Sequence, residues 1–418
     1  MMFYKETNFK DTEIGRIPKE WKVVRVNKLF DLYKGTTPST KIKEYWDGTI
    51  PFVTPTDITK INDLNEIYLR TTENYITEKG LKSKGLRLVP KRSLLFTSRA
   101  TIGYLAINET EVAINQGIIS LIPKNTNVDV TFFYYFLQKL RSLFENLAGG
   151  STYKEISMST FSNINMPLPS LSEQQKIAEI LSTVDEAIQK TNEIIAKTER
   201  LKKGLMQELL TKGIGHKEFK DTEIGRIPEK WQIVSIGDVC EQRSEIVLPS
   251  ENSDELFVGL EHITSGETRL HNYARSADVK SAKFRFYTGD ILYGKLRPYL
   301  DKAVIAEFKG ICSTDILVLK PKENMIGEFL IYILHSESFI KHAIATMRGT
   351  NHPRTSWSAI SRYKFGLPDR FEQQKIAEIL STVDKKLEIE REEKARLEKI
   401  KQGLMDLLLT GKIRVRVS

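Results

Sequence analysis

Two stretches of this chain are written twice, and that constrains its fold more than any other feature. Residues 9–21 read FKDTEIGRIPKEW and residues 219–231 read FKDTEIGRIPEKW, 210 residues apart. Residues 173–185 read EQQKIAEILSTVD, and residues 372–384 repeat them letter for letter, 199 residues on. The match resumes at GLMQELLTKG (204–213) and GLMDLLLTGK (403–412). Repeats of this length imply one supersecondary framework used twice. The offset falls from 210 to 199, so the second copy is 11 residues shorter between the repeats, mostly between Trp231 and about Thr288. A shared framework therefore carries two different globular heads.

The second repeat of each copy reads as a long helix. Pro169-Ser170-x-x-Glu173 and Pro368-Asp369-x-x-Glu372 are capping-box patterns, with an N-cap acceptor and a carboxylate three residues on that reaches back. Ile177, Leu181, Val184, Ile188, Ile195, Leu205 and Leu209 follow heptad-like spacing, widened by Ile180, Ile194 and Leu201. The second copy gives Ile376, Leu380, Val383, Leu387, Leu397, Leu404 and Leu408. Apolar heptads on charged helices predict a coiled coil, here made by the two helices on each other. At ~1.5 Å per residue, each would run roughly 60 Å. Thr191 and Thr198, and Glu390 and Lys394, make the seam polar midway. Gly204 and Gly403 suggest close backbone approach at a helix crossing.

The heads read as α/β. IPFVTP (50–55), SLLFTS (93–98) and GIISLIP (117–123) have the pattern of short strands. A helix follows, with Phe132, Phe133, Phe136, Leu137, Leu140, Phe144 and Leu147 on one face and Gly149-Gly150 as its stop. The second head repeats the order with DILYG (290–294), DILVLKP (315–321), a helix from about Gly327 to Met347, and Arg348-Gly349. A polar loop comes after each stop: Ser151-Thr152-Tyr153-Lys154 and Thr350-Asn351-His352-Pro353-Arg354. Thr97-Ser98-Arg99 and Lys295-Leu296-Arg297 are read as matching strand ends beside them. Such side chains hydrogen-bond phosphates and base edges. Each loop alone reads as solvated surface; recurrence at matched places favours binding.

Charge adds a qualified hint. The net charge is +9, but residues 172–212 carry seven acids and seven bases, and 372–412 nine and nine. Residues 1–171 hold +6, residues 213–371 only +1, and Arg414 and Arg416 add +2. An anionic partner is expected, chiefly through the first head. The neutral helices suit a protein partner. Two cysteines, Cys240 and Cys312, make neither a disulfide framework nor a structural zinc site. The N-terminal residues have no apolar signal region and no stretch is long enough to span a membrane, so a soluble, cytoplasmic protein is expected.

Catalytic patterns are weak. GDILYGKL (289–296) nearly matches a phosphate-binding loop but lacks the metal-holding Ser/Thr and has an apolar strand as its interior. Asp301…Glu307-x-Lys309 is a loose nuclease-like spacing without a counterpart in the first head. The six histidines show no ligand spacing, and no cofactor fingerprint occurs. The chain reads as a binder rather than an enzyme, with no metal or cofactor of its own.

Taken together, these features resemble the specificity (S) subunit of type I restriction-modification systems. The two EQQKIAEIL helices, each following a Pro-rich strand end, carry the resemblance. So do IGxIPxxW at 14–21 and 224–231, and KGTTPS (34–39) with Glu44-Tyr-Trp46, Ile50-Pro-Phe52 and Asp57-Ile58. The likeness covers the whole chain. It implies two target-recognition domains (22–171 and 232–371) on an α/β, pseudo-twofold internal repeat. Each is preceded by a lead-in segment (1–21, 213–231) and followed by a spacer helix (172–212, 372–412). Residues 413–418 form a tail, and the spacers make an antiparallel coiled coil.

The resemblance further implies double-stranded DNA as ligand, read at an asymmetric bipartite site. Two methylation (M) subunits and restriction (R) subunits would be partners, and S-adenosylmethionine, ATP and Mg would sit on those subunits. M-subunit docking is expected near Glu173, Gln174, Gln175, Glu372, Gln373 and Gln374. DNA contacts are expected in head one from Lys34, Thr36, Thr37, Ser39, Tyr45, Trp46, Arg99, Thr152, Tyr153 and Lys154. In head two they are expected from Arg243, Glu261, His262, Lys295, Arg297, Tyr299, Asn351, His352 and Arg354. Tyr45 and Trp46 are equally readable as core aromatics. The second head has EQRSEIVLPSENSDELFVGLEHI (241–263) in place of the first head's GTTPS…YW, so contacts do not transfer between heads by motif. The C-terminal GKIRVRVS stops where the first copy runs on into a lead-in, and the N-terminal KETNFKDTEIGRIP would complete it, giving a circular arrangement. The competing reading is a coiled-coil adaptor with two protein-binding heads and no role on DNA.

Overall fold

The repeated lead-in becomes the same hairpin twice. Phe9–Thr12 pairs antiparallel with Gly15–Pro18, and Phe219–Thr222 with Gly225–Pro228. The tight turn needs a left-handed residue, and Gly15 (φ +97°) and Gly225 (φ +105°) supply it. Thr12 and Thr222 each donate a hydroxyl to that glycine's carbonyl at 2.6 Å. The structure is a computed structural model and describes residues 3–149, 154–248, 255–276 and 281–416. Among these, no helix is long and apolar enough to cross a membrane.

Two compact units result: Met1–Ile194 with Glu390–Ser418, and Ile195–Ile389. The long helices Leu171–Lys212 and Arg370–Leu408 each contribute one half to each unit. In the first unit Asp185 pairs with Lys401 and Glu173 with Arg414, so the two halves run antiparallel. In the second unit Lys202 pairs with Asp384, and Glu372 accepts from the backbone N–H of Ile214, again antiparallel. The second helix stops at Leu408, earlier than the expected 412, because Gly411 turns left-handed (φ +67°) and its N–H closes on the Leu408 carbonyl. Ile177, Ile180, Leu181 and Ile188 are buried on one side, and Met405, Leu408 and Leu409 on the other. Ile194 and Leu201 are exposed, so they do not widen the buried stripe. Gly204 and Gly403 have open space where a Cβ would sit, so neither marks a close crossing.

Each head is closed at its base by main-chain pairing. Lys22–Arg25 pairs with Asn165–Leu168, and Gln232–Ser235 with Lys364–Leu367. Head one then builds a five-stranded sheet in the order Phe30–Lys34, Ile118–Pro123, Leu94–Thr97, Leu105–Asn108, Tyr68–Leu69, with the last pair parallel. A three-stranded sheet, Ala113–Ile114, Trp46–Val53, Asn74–Ile76, lies in the same head. Head two has Cys240–Arg243, Ile316–Pro321, Ile291–Gly294 and Ala303–Ile305 in one sheet. Its second sheet holds Ile246–Val247, Lys283–Phe286, Gly310–Cys312, Leu256–Val258 and Ala274–Arg275. The expected strand at 50–55 ends at Val53, because Thr54 and Asp57 form a capping box that starts a helix at Pro55–Asp63.

The expected single helix of each head is two. Val130–Lys139 and Arg141–Leu147 break at Leu140, and Gly327–Leu334 and Glu337–Ala345 break where Ser336 N-caps the second. Their buried aromatics fill the main cores: Phe133 lies edge-on to both Phe30 and Phe132, and Phe96 lies against Phe144 and Phe161. The first of each helix pair is also pinned to a long helix by a polar triad. Tyr135 donates to Asp185 (2.7 Å), which pairs with Lys401 (2.7 Å); Tyr332 donates to Asp384 (2.8 Å), which pairs with Lys202 (2.6 Å). Burial, with the facing carboxylate, pushes both tyrosine hydroxyls well above their ordinary range.

The chain ends meet in the first unit. Phe3–Lys5 pairs antiparallel with Ile413–Val415, Tyr4 lying opposite Arg414. The second unit makes the same passage with continuous chain between Lys212 and Phe219. This pairing is the circular arrangement expected from the repeat.

Candidate nucleic-acid interface

In each head a strand-end turn is hydrogen-bonded to the loop after the helix pair. In head two, Arg297 N–H donates to the Pro353 carbonyl (2.8 Å) and Thr355 N–H to the Lys295 carbonyl (3.0 Å). Arg348 and Arg354 exchange two backbone hydrogen bonds around Gly349 (φ +97°). In head one, Ile156 N–H donates to the Ser98 carbonyl (2.9 Å), and Gly149 and Glu155 exchange two bonds. Thr97 N–H meets the Tyr104 carbonyl as Gly294 N–H meets that of Lys302, so Ser98 matches Lys295 and Arg99 matches Leu296. The sequence pairing of Arg99 with Arg297 is thus off by one; the counterpart of Arg297 is Ala100. Both are left-handed, at φ +51° and +65°.

These turns gather many of the expected residues. Head two brings Lys295, Arg297, Tyr299, Asn351, His352 and Arg354 to one place, and Arg297, Tyr299, Asn351 and His352 are exposed. The Arg354 guanidinium lies in a fork on Asp315 (2.8 and 3.2 Å), with its third nitrogen on the His352 carbonyl. That guanidinium holds the Asp315 carboxyl below its ordinary range, against the opposing effect of burial. Head one gathers Lys34, Thr36, Thr37, Arg99 and Lys154: Lys34 pairs with Glu155, and Asn115 donates to Thr37 (3.0 Å). Thr36 and Lys154 are exposed. Thr152 and Tyr153, like Ser151 and Gly150, lie outside the described residues.

Other expected residues are committed elsewhere. Trp46 stacks edge-on against Phe52 and donates to the Ser39 carbonyl (3.1 Å), in the core of the small sheet with Tyr45 half-buried beside it. Arg243 is forked on Asp290, whose side chain is 4% exposed, and lies over the Tyr287 ring; it is a structural cation, not a free one. His262 accepts the Gly259 N–H (2.9 Å), leaving Glu261 exposed on the short turn Leu260–His262. Asp301 and Glu307 do not converge: Asp301 binds His335 and Glu307 binds Arg269. Asp315, Glu155 and His335 were missed from sequence, because their roles depend on partners brought together by the fold.

The expected docking residues divide in the same way. Glu173, Gln174 and Gln373 are buried and their polar atoms are used inside the chain. Gln174 bonds the Asn127 and Pro169 carbonyls and the Asp129 N–H, and Gln373 does the same with Asn324, Pro368 and Ile326. Glu173 accepts from Trp21 Nε1 (3.0 Å) and Arg414, and Glu372 from Trp231 Nε1 (2.9 Å) and His216 (2.8 Å). The carboxylates anchor the lead-in tryptophans instead of reaching back to the N-cap. Gln175 and Gln374 remain exposed.

The family model for the type I restriction modification DNA specificity domain matches residues 18–200 and again 228–399. The chain is 32% identical to the type I restriction enzyme MjaIX specificity subunit of Methanocaldococcus jannaschii, covering 98% of this chain and 97% of that one. It is 31% identical to the MjaVIII specificity subunit of the same organism, over 100% and 98%. A crystal structure of the type I S subunit from M. genitalium superposes with a TM-score of 0.60 at 16% identity, covering 96% of this chain and 97% of that one. With the family model matched twice and relatives aligned end to end, this chain belongs to the family of type I restriction-modification DNA specificity subunits.

Proposed function

We propose that the chain is the sequence-specific DNA-reading subunit of a type I restriction-modification system. The supporting observation is the recurrence, in two unlike heads, of one hydrogen-bonded pair of loops that carries exposed cationic and amide side chains. Phosphate contacts by Lys154 and Arg297 would position each head, while Asn351 and His352 would meet base edges. Because the loops differ in sequence, each head reads a different half of an asymmetric, bipartite site. Methylation and restriction subunits bring the chemistry. S-adenosylmethionine, ATP and Mg belong to those subunits, and this chain directs them to the site. The exposed flanks of the long helices, including Gln175 and Gln374, are where the methylation subunits dock. Family membership displaces the adaptor reading.

The test is co-expression with the methylation subunit encoded in the same genome, followed by mapping of N6-methyladenine on host DNA. A split, asymmetric motif with a fixed gap is expected. Exchanging residues 22–171 for another head should then change one half only. Absence of any new methylated motif would refute the proposal.

A further inference from the structure

Behind the reading turn of head two a buried histidine meets a half-buried aspartate, a pair not found among the described residues of head one. The His335 side chain is 2% exposed and that of Asp301 23%. Nε2 of His335 faces the Ala303 carbonyl at 3.0 Å, and a carbonyl only accepts, so Nε2 carries a proton. Nδ1 faces the Asp301 carboxyl at 2.7 Å. A second proton therefore lies between Nδ1 and the carboxyl oxygen, and the two side chains form a proton-bridged clamp.

The clamp grips a backbone that resists its own conformation. The turn after Lys295 is one 3₁₀ turn, Pro298–Leu300, flanked by Arg297 and Asp301, both left-handed (φ +51° and +48°). Non-glycine residues disfavour this region and keep it only where the surroundings enforce it. Asp301 is held from three sides: its N–H on the Pro298 carbonyl, its carbonyl on Gly266 N–H (2.9 Å), and its side chain on His335. Head one makes a turn one residue shorter and without the 3₁₀ turn, with Gly103 (φ +87°) preceding Tyr104 as Asp301 precedes Lys302, and Gln138 at the position of His335. There the left-handed step is met by glycine, and no carboxyl–imidazole pair is found among the described residues.

We infer that His335 and Asp301 are positioning residues for head two: their clamp fixes the turn that presents Lys295, Arg297 and Tyr299. This inference rests on the DNA-recognition proposal above. His335 itself is buried and acts through Asp301.

The test uses the full chain co-expressed with its methylation subunit, scoring methylation at the motif and at single-substituted versions of each half. Head two's half is the one that survives exchange of residues 22–171. His335→Ala is expected to cut discrimination in that half by about tenfold, the scale of one lost base contact, and to leave the other half unchanged. Asp301→Ala should do the same. Asp301→Gly, alone or with His335→Ala, should recover discrimination to within about threefold of wild type, because glycine takes the turn without a clamp. Unchanged discrimination in His335→Ala would overturn the inference. So would an equal fall in both halves accompanied by a lower melting temperature, or an Asp301→Gly variant no better than Asp301→Ala. If His335→Ala gives no soluble chain, the Asp301→Ala against Asp301→Gly comparison decides alone. Failure of the wild-type chain to give a bipartite motif would instead refute the underlying DNA-recognition proposal.

Discussion

Replacing Arg414 with Met tests whether the joined chain ends depend on one buried cation. Arg414 is 7% exposed and meets three carboxylates: Glu173 through Nε and Nη2 (2.9 Å), Glu6 through Nη1 (2.6 Å) and Glu20 through Nη2 (3.1 Å). Glu173 and Glu6 are 3% and 11% exposed, Glu20 79%. Removing the guanidinium leaves two buried carboxylates facing each other, a loss expected at about 3–5 kcal/mol. Glu20→Ala should cost less than about 1 kcal/mol, because that carboxylate is solvated. Glu173→Gln keeps an acceptor for Trp21 Nε1 and loses only charge. Combined with Arg414→Met it should recover about 1–3 kcal/mol relative to additivity. Urea unfolding gives the energies, and amide exchange over residues 3–21 and 404–416 localises them. The Glu6 carboxyl is held low: burial pushes it up, but the Asn8 N–H and Arg414 outweigh that. Its stabilising share is present at neutral pH and lost on acidification through the folded value, so the deficit of Arg414→Met should narrow below about pH 4. A loss below about 1 kcal/mol, or a Glu20→Ala effect as large as that of Glu173→Gln, would refute the reasoning.

Three further outcomes are expected. Asp185→Ala and Asp384→Ala each remove the carboxylate shared by a tyrosine hydroxyl and a half-buried lysine, so each should lose about 2–4 kcal/mol in urea unfolding. Asp315→Ala frees the Arg354 fork; anisotropy titrations over a salt series should show tighter non-specific DNA binding with a slope steeper by about one charge, while Arg354→Ala weakens it. Gly204→Ala and Gly403→Ala should each stabilise the chain by about 0.5–1 kcal/mol, read from thermal unfolding, because a methyl group meets open space.

The framework was legible because it rests on local chemistry. N-cap side chains (Ser170 and Asp369, each accepting from the N–H three residues on) and apolar heptads act within a few residues of themselves, and a literal repeat doubled each signal. Of the candidate site residues, those on exposed turns, such as Arg297 and Asn351, keep their side chains available to a ligand. Arg243 and Trp46 suit DNA by type, but the fold forks Arg243 on Asp290, 47 residues on, and sets Trp46 edge-on against Phe52 of its own strand. Glu173 and Gln174 misled for a related reason. Their identity in both copies serves the tryptophans and helix starts of this chain, and identity alone does not distinguish an internal partner from an external one. Gly204 and Gly403 show that a matched glycine can be merely tolerated.

The base of each head has a consequence for mutational drift. Lys22–Arg25 with Asn165–Leu168, and Gln232–Ser235 with Lys364–Leu367, close by main-chain hydrogen bonds. Such bonds are indifferent to which side chains they carry. A head can therefore shed residues or rewrite its turns without altering what the long helices receive. Selection can act on the two reading surfaces separately, and a change that ruins one head leaves the other's instructions intact.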